Sequence, residues 1–334
     1  MQPYRACLLL CLLVLCLAAA GSSWAQLEAY ALTHPFALPG STTTRLQGMG
    51  GMVTCIPDRG FPNPAYAGLV TEWQATGRYS VTEFDGGVAL RIAQVSAAGP
   101  LRAGRSGLQI TGLRLDSDPG LVLSLPGSPP CSVGEWTVGL HYGQRISDRL
   151  SLGLGVSPCF HNRVQVLGPA PGGDALRTRA NSSRGFRLGA TYLLCPRTRF
   201  GAVYDNYDES VTATGLLLGG ATIAADTSSK AMTAGVSHQI SDRLLVAAEW
   251  FQMTTDISGR SFGDSGWRAG LEALLDEGVS LRVGDNDGSF SAGVGVESGR
   301  VSVRYAYLRD WNNDFVGPIW GGSKTNQFEA TYHW

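Results

Sequence analysis

The chain has 334 residues, 44 of them glycine, with 16% charged residues and a formal net charge of −1. Near neutrality excludes an electrostatic nucleic-acid binder and an acidic solvating tail. A charged fraction this far below the roughly one quarter usual in water-soluble domains argues against an ordinary soluble fold.

Residues 1–25 read as a secretory signal peptide: Arg5, an apolar run from 7 to 20, then Ser23, Trp24 and Ala25 as a small-x-small cleavage site. The run is too short to span a bilayer, and no later stretch has the roughly 18 consecutive apolar residues of a transmembrane helix. Export places Cys55, Cys131, Cys159 and Cys195 in an oxidising compartment. Cys131 and Cys159 fall toward one end of a single hairpin, where a disulfide is conceivable. Cys55 and Cys195 meet only if the N-terminal segment passes the periplasmic rim. Free thiols are the competing reading.

Residues 26–70 are rich in Gly, Pro and Thr and do not alternate. From 71 to 334 the chain changes grammar. Weak strands near 72–84, 87–96 and 106–115 lead to segments with apolar residues at every second position. Trp136, Val138, Leu140 and Tyr142 form one; Leu150, Leu152, Leu154 and Val156 another; Phe186, Leu188, Ala190 and Tyr192 a third. Later ones centre on Ala234, Leu271, Leu281, Val294 and Val303. The chain ends with Phe328, Ala330, Tyr332 and Trp334 interleaved with Glu329, Thr331 and His333. Period two gives one apolar and one polar face per strand, and runs of about ten residues suit tilted membrane strands.

Short connections at 147–149, 195–197, 241–243, 276–278 and 298–299 alternate with longer links at 161–183, 213–228, 256–264 and 310–323; Asp285-Asn286-Asp287-Gly288 is a short exception. Short turns belong to the periplasmic side of outer-membrane barrels and long loops to the outside. Ile146-Ser-Asp-Arg-Leu150 recurs as Ile240-Ser-Asp-Arg-Leu244, both at short turns. The expected fold is all-β: a closed antiparallel transmembrane β-barrel of about 14 strands over 71–334, in the bacterial outer membrane. Such a barrel is wider than its own side chains can fill. Residues 26–70 are therefore expected as a plug or hatch in the lumen, with a periplasmic extension as the alternative.

The residues Arg45, Leu46, Gln47, Gly48, Met49, Gly50, Gly51 and Met52, followed by Asn63-Pro64-Ala65 and Gly68-Leu69, resemble the N-terminal signature of the FadL/TodX (OMPP1) family of outer-membrane transporters of hydrophobic compounds. Tyr66 and Ala67 interrupt its Asn-Pro-Ala-Gly-Leu stretch. From Trp267 through Gly284 to Tyr307 the chain also resembles PorV-like barrels. The FadL resemblance implies a fourteen-strand barrel, a luminal hatch carrying Gly48, Gly50, Gly51, Asn63, Pro64 and Ala65, passive uptake of fatty acids or hydrocarbons, and exit through a gap in the wall. The PorV resemblance implies instead a scaffold for secreted or surface proteins that transports nothing.

Two predicted external loops are apolar, at Leu121, Leu123 and Leu125 and at Leu216, Leu217, Leu218 and Ile223. On a transporter they would capture ligand; strand extensions or a small loop core are the plain alternative. Arg78, Arg91, Arg187, Glu249, Arg268, Glu272, Arg282, Arg304 and Glu329 fall on the luminal phase. There they bind a ligand head group, hold the plug, or pair across strands. Gly293 and Gly295 leave luminal space or let a plug approach. No catalytic residue, cofactor or metal site is expected: the five His are scattered, and Asp285 to Gly288 lacks the closing ligands of a calcium loop. The expected partners are outer-membrane lipid, a hydrophobic small-molecule ligand, and the barrel-assembly machinery through the strand ending in Trp334, with no nucleic acid.

Overall fold

The computed structural model describes residues 43–58, 62–85, 89–102, 104–117, 121–122, 130–170, 173–214, 222–257, 260–276, 278–310 and 322–334. No described helix is long and apolar enough to cross a membrane; strands do the crossing. They are β1 (Gln74–Phe84), β2 (Ala89–Arg102), β3 (Ser106–Ser117), β4 (Leu121–Val122), β5 (Pro130–Arg145), β6 (Leu150–Ala170), β7 (Gly173–Cys195), β8 (Thr198–Thr214), β9 (Thr222–Ser241), β10 (Leu244–Ile257), β11 (Arg260–Asp276), β12 (Val279–Asn286), β13 (Ser289–Ser298), β14 (Val301–Arg309) and β15 (Ser323–His333). Every neighbour pair is antiparallel. β1 pairs with β15, and β3 pairs with β5, so the ring closes on itself. The two-residue β4 hangs on the edge of β5, which leaves fourteen strands in the wall.

Alternation dictates the two faces. In β15 Phe328, Tyr332 and Trp334 are exposed, while Gln327, Glu329, Thr331 and His333 are buried in the lumen. In β1 Tyr79 is exposed between buried Arg78 and Ser80. The apolar-out, polar-in order is that of a cylinder with lipid outside. Tyr332 stacks on Trp334 with ring centroids 6.0 Å apart, and the Trp334 amide donates to the Trp73 carbonyl at 3.1 Å. Aromatic residues thus gather at the rim with the short turns, where an interfacial girdle belongs.

Two expectations are corrected. The links at 161–183, 213–228 and 256–264 are mostly strand: β6 runs to Ala170, β7 starts at Gly173, β9 at Thr222 and β11 at Arg260. Outside the bilayer neither face needs to be apolar, so the alternation fades while hairpin pairing continues. The second correction is the phase of β2. Arg91 lies opposite Val81 and Asp116 on the outward phase, and its neighbours Leu90 and Ile92 are the buried, inward pair.

The short outer turn at Asp287-Gly288 has φ of 51° and 86°, the left-handed pair of a type I′ hairpin. Gly288→Val is expected to destabilise the barrel by about 1 kcal/mol, read as a lower thermal unfolding midpoint. An unchanged midpoint would show that the turn adopts another conformation at no cost.

Candidate functional site

The plug is built from two short helical pieces. Helix α1 (Thr44–Gln47) is capped by Thr43, whose hydroxyl accepts from the Leu46 amide; the same hydroxyl donates to Asp58. The chain then turns at Gly50 and Gly51, with φ of 88° and 72°, a conformation that favours glycine. The Gly50 amide donates to Ser291 on β13 at 2.8 Å. The second piece is a 3-10 helix, Pro64–Leu69, capped by the Asn63 side chain with Pro at the first turn. Asn63 also donates to the Thr54 and Ala190 carbonyls, each at 3.0 Å. Tyr66, one of the residues that interrupts the family signature, donates to the same Thr54 carbonyl at 2.7 Å. Asn63 and Tyr66 therefore bind the second piece to the first.

Glycines in the wall receive the plug. Gly107, Gly143, Gly153 and Gly189 stand in register across β3, β5, β6 and β7. A Cβ at the first three would lie 2.1 Å from the Ala67 carbonyl, 2.4 Å from the Gly68 amide and 2.2 Å from the Pro64 carbonyl carbon. At Gly189 it would meet the Asn63 side chain at 2.1 Å. Across the lumen, Gly270 and Gly284 face each other and admit the backbone of Met49 and Gly50. Gly293 faces Gly48 less closely, a Cβ there falling 3.3 Å from the Gly48 Cα, whereas Gly295 makes room for the Arg282 guanidinium.

Apart from Arg91, the charged side chains expected on the luminal phase meet the plug, one another, or both. Glu249 on β10, fully buried, accepts from the amides of Val53 (2.8 Å), Thr54 (2.5 Å) and Cys55 (3.1 Å) and from the Thr54 hydroxyl (2.7 Å). Glu272 pairs with Arg45 of the plug at 2.5 Å and with Arg282 at 2.6 Å. Arg304 pairs with Asp58 of the plug and with Glu329, each at 3.1 Å. Glu329 also pairs with Arg78 and accepts from the Thr44 amide, each at 3.1 Å. Arg187 pairs with Asp205 and donates to the Pro62 carbonyl at 2.9 Å. Arg268 donates to the Gly51 carbonyl at 3.2 Å.

Magnitudes separate the roles. Leu46, Met49, Met52 and Ile56 are fully buried beside Ala247 and Leu245 of the wall, at roughly 1.5–3 kcal/mol each. Buried ion pairs add little net stability over an apolar filling, but losing one partner costs about 3–5 kcal/mol. Burial holds the plug in; the ionic groups fix its seat.

Above the plug the lumen is lined differently. Phe84, Leu90, Ile92, Leu113, Leu115 and Leu308 are inward and at most 5% exposed. They lie on β1, β2, β3 and β14, with the inward Ser323 and Thr325 of β15 between β1 and β14. Two strands round from β3, past β5, the β6–β7 ladder runs from Leu150↔Tyr192 to Val156↔Phe186, stops, and resumes at Val164↔Arg179. The backbone of 157–163 has no ladder partner on 180–185, and a bulge against β5 occurs at the same point. Pro158 lies in this stretch and has no N–H to offer. Below the plug, a pocket of about 520 Å³ lies at the end with the short turns; Asp58, Tyr66, Glu272, Arg282, Arg304 and His333 are among its lining residues.

Two of the residues expected to capture ligand have a described backbone. The backbones of Leu121 and Ile223 are in β4 and β9, paired with Cys131 and Ala213; Leu123, Leu125, Leu216, Leu217 and Leu218 lie outside the described residues. Cys55 and Cys195 are free thiols, one buried and one exposed, and the side chains of Cys131 and Cys159 lie outside the described set. Sequence reading missed the inward apolar residues, the acidic partners Asp58 of the plug and Asp205 of the wall, and the glycine seat. The repeated inward position of glycine on neighbouring strands was the available signal.

No protein-family model and no curated protein matches the sequence. Solved structures do. The CymD monoaromatic hydrocarbon channel superposes with a TM-score of 0.60 at 15% identity, covering 88% of this chain and 97% of its own. The Pseudomonas putida toluene transporter TodX gives 0.58 at 13%, covering 89% and 98%. A Pseudomonas aeruginosa FadL homologue gives 0.57 at 16%, covering 88% and 98%. At such identities the likeness is one of fold, and the chain is a closed β-barrel of fourteen strands, plugged from its N-terminal side, with the architecture of the FadL/TodX outer-membrane channels.

Proposed function

We propose that this barrel admits small hydrophobic molecules across the outer membrane by passive diffusion. The observation that carries the reading is the group of apolar residues above the plug, in a lumen lined elsewhere mainly by Ser, Thr, Gln and charged groups, with Val203 and Tyr207 of β8 as further apolar members. A polar lumen does not call for Phe84, Leu90, Ile92, Leu113, Leu115 and Leu308 on its inward face, and apolar surface there suits an apolar ligand. The break between β6 and β7 supplies a sideways exit at a comparable distance from the short turns. The plug, held by non-covalent contacts, closes the straight path. The hydrocarbon channel and the toluene transporter of similar fold support the same direction.

A second reading has its own support. At plug level the lumen is filled by Arg78, Glu329, Arg304, Asp58, Glu272 and Arg45 in linked ion pairs, as a sealed scaffold barrel for surface partners would be. Uptake separates the two. Cells carrying the protein are expected to accumulate a labelled monoaromatic compound, alkane or fatty acid several-fold faster than cells lacking it. Ile92→Asp with Leu115→Asp should return the rate to that of cells without the protein, because two desolvated carboxylates oppose an apolar ligand. Equal uptake with and without the protein rejects transport and leaves the scaffold.

A further inference from the structure

The short turns share a feature beyond their length. In each of six hairpins the residue just before the outgoing strand offers its carbonyl to a backbone amide of the neighbouring hairpin. The acceptors are Arg105, Arg149, Arg197, Arg243, Gly278 and Arg300, and the donors are Arg145, Leu193, Gln239, Leu274, Glu297 and His333, at 2.7–2.9 Å. The bonds put these six residues at one level around the rim, and five of them are arginine. All five arginines are exposed. Arg197 lies 3.6 Å from Asp242; Arg105, Arg149, Arg243 and Arg300 have no ion-pair partner among the described residues.

A large apolar residue precedes most of these turns on the outer surface: Leu101, Ile146, Leu194, Ile240 and Leu275, each at least 50% exposed. Four of them lie three or four residues before a rim arginine. The acidic groups of the same rim among the described residues are Glu72, Asp148, Asp242, Asp276 and Glu297; Asp148 pairs with Arg145 and Glu297 with the inward Arg304, and with Arg102 and Arg145 beside the five turn arginines the rim carries more arginine than acid.

We propose that this collar binds the anionic phospholipids of the periplasmic leaflet, with the apolar residues among the acyl chains and the guanidinium groups on the phosphodiesters. Arginine's planar fork matches phosphate oxygens bidentately, and its stem lies along apolar surface while the charge stays at the interface. Basic residues beside a bilayer attract anionic headgroups. The repetition around the whole rim fits an annulus of lipid; a protein partner would need one contiguous patch. Trp73 and Trp334, exposed on the same rim, mark the interfacial level. The orientation rests on short turns being periplasmic and does not depend on what the barrel transports.

The test is native mass spectrometry of the purified full-length barrel in detergent, with equimolar phosphatidylglycerol and phosphatidylcholine of matched chains. The wild type is expected to retain phosphatidylglycerol by about tenfold over phosphatidylcholine. R149Q/R197Q/R243Q should reduce this to near parity, with folding checked by the heat-dependent gel shift of the barrel. D148N/D242N removes two opposing charges and should raise the preference, which provides a second handle if the triple variant does not fold. Equal retention of the two lipids by the wild type overturns the proposal, as does a preference untouched by both sets of substitutions. Loss of the bound lipid to millimolar inorganic phosphate would show a free-anion site and also overturn it.

Discussion

Gly153→Val is expected to expel the plug from its seat while leaving the barrel closed. The new Cβ falls 2.2 Å from the carbonyl carbon of Pro64 and 2.3 Å from the Ala65 amide nitrogen. Both are backbone atoms, so no rotamer change relieves the clash. A β-branched residue suits the strand itself, so the damage is confined to the plug. An overpacking cost of about 3 kcal/mol raises the unseated population on the order of a hundredfold. Cys55 reports it: the thiol is fully buried beside Glu249, whereas Cys195 is exposed. With Cys131 and Cys159 replaced by Ser, a maleimide should label Cys195 alone in the parent and both thiols in Gly153→Val. Protection of Cys55 in the variant would mean that the second plug piece does not rest on β6.

Glu249→Ala is expected to loosen the first plug piece by a larger amount. The carboxylate accepts from three consecutive amides, Val53, Thr54 and Cys55, and from the Thr54 hydroxyl. Buried donors left unmatched cost about 1–3 kcal/mol each, so removal weakens the seat by roughly 3–6 kcal/mol. Glu249→Gln keeps one acceptor oxygen and should fall between. The measurement is hydrogen exchange at Val53, Thr54 and Cys55, expected to quicken in the order wild type, Gln, Ala. Equal rates in wild type and Glu249→Ala would place the protection elsewhere.

The wall was legible because lipid imposes a period. Counting by twos from Trp334 places Glu329 and Thr331 inside and Phe328 and Tyr332 outside, and the same count placed Glu249, Glu272, Arg282 and Arg304 correctly on the luminal side. The count failed where lipid is not the only apolar environment. In β2 both faces carry apolar residues, Leu90 and Ile92 inward and Val95 and Ala97 outward, so a charged Arg91 was taken for a luminal group. It failed again beyond the bilayer: residues such as Arg177, Thr178 and Arg179 show no oily face and still pair as strand. The plug showed itself by departing from the strand pattern and by its glycine motif. Its seat did not, since an inward glycine has no hydropathy signature and acquires meaning only when Gly107, Gly143, Gly153 and Gly189 are aligned.

β6, β7 and β9 have 21, 23 and 20 residues, while β12, β13 and β14 have 8, 10 and 9. A bilayer uses about 9–11, so the former continue for roughly a dozen residues into the sugar zone of the cell surface, and the latter stop near the lipid boundary. Among the described residues the rim is cut on a slant, like a quill. If the barrel admits nonpolar solutes as proposed, the tall flank shields the interior from bulky polymers, and the low flank sets an entrance level with the oily layer, where such solutes already concentrate.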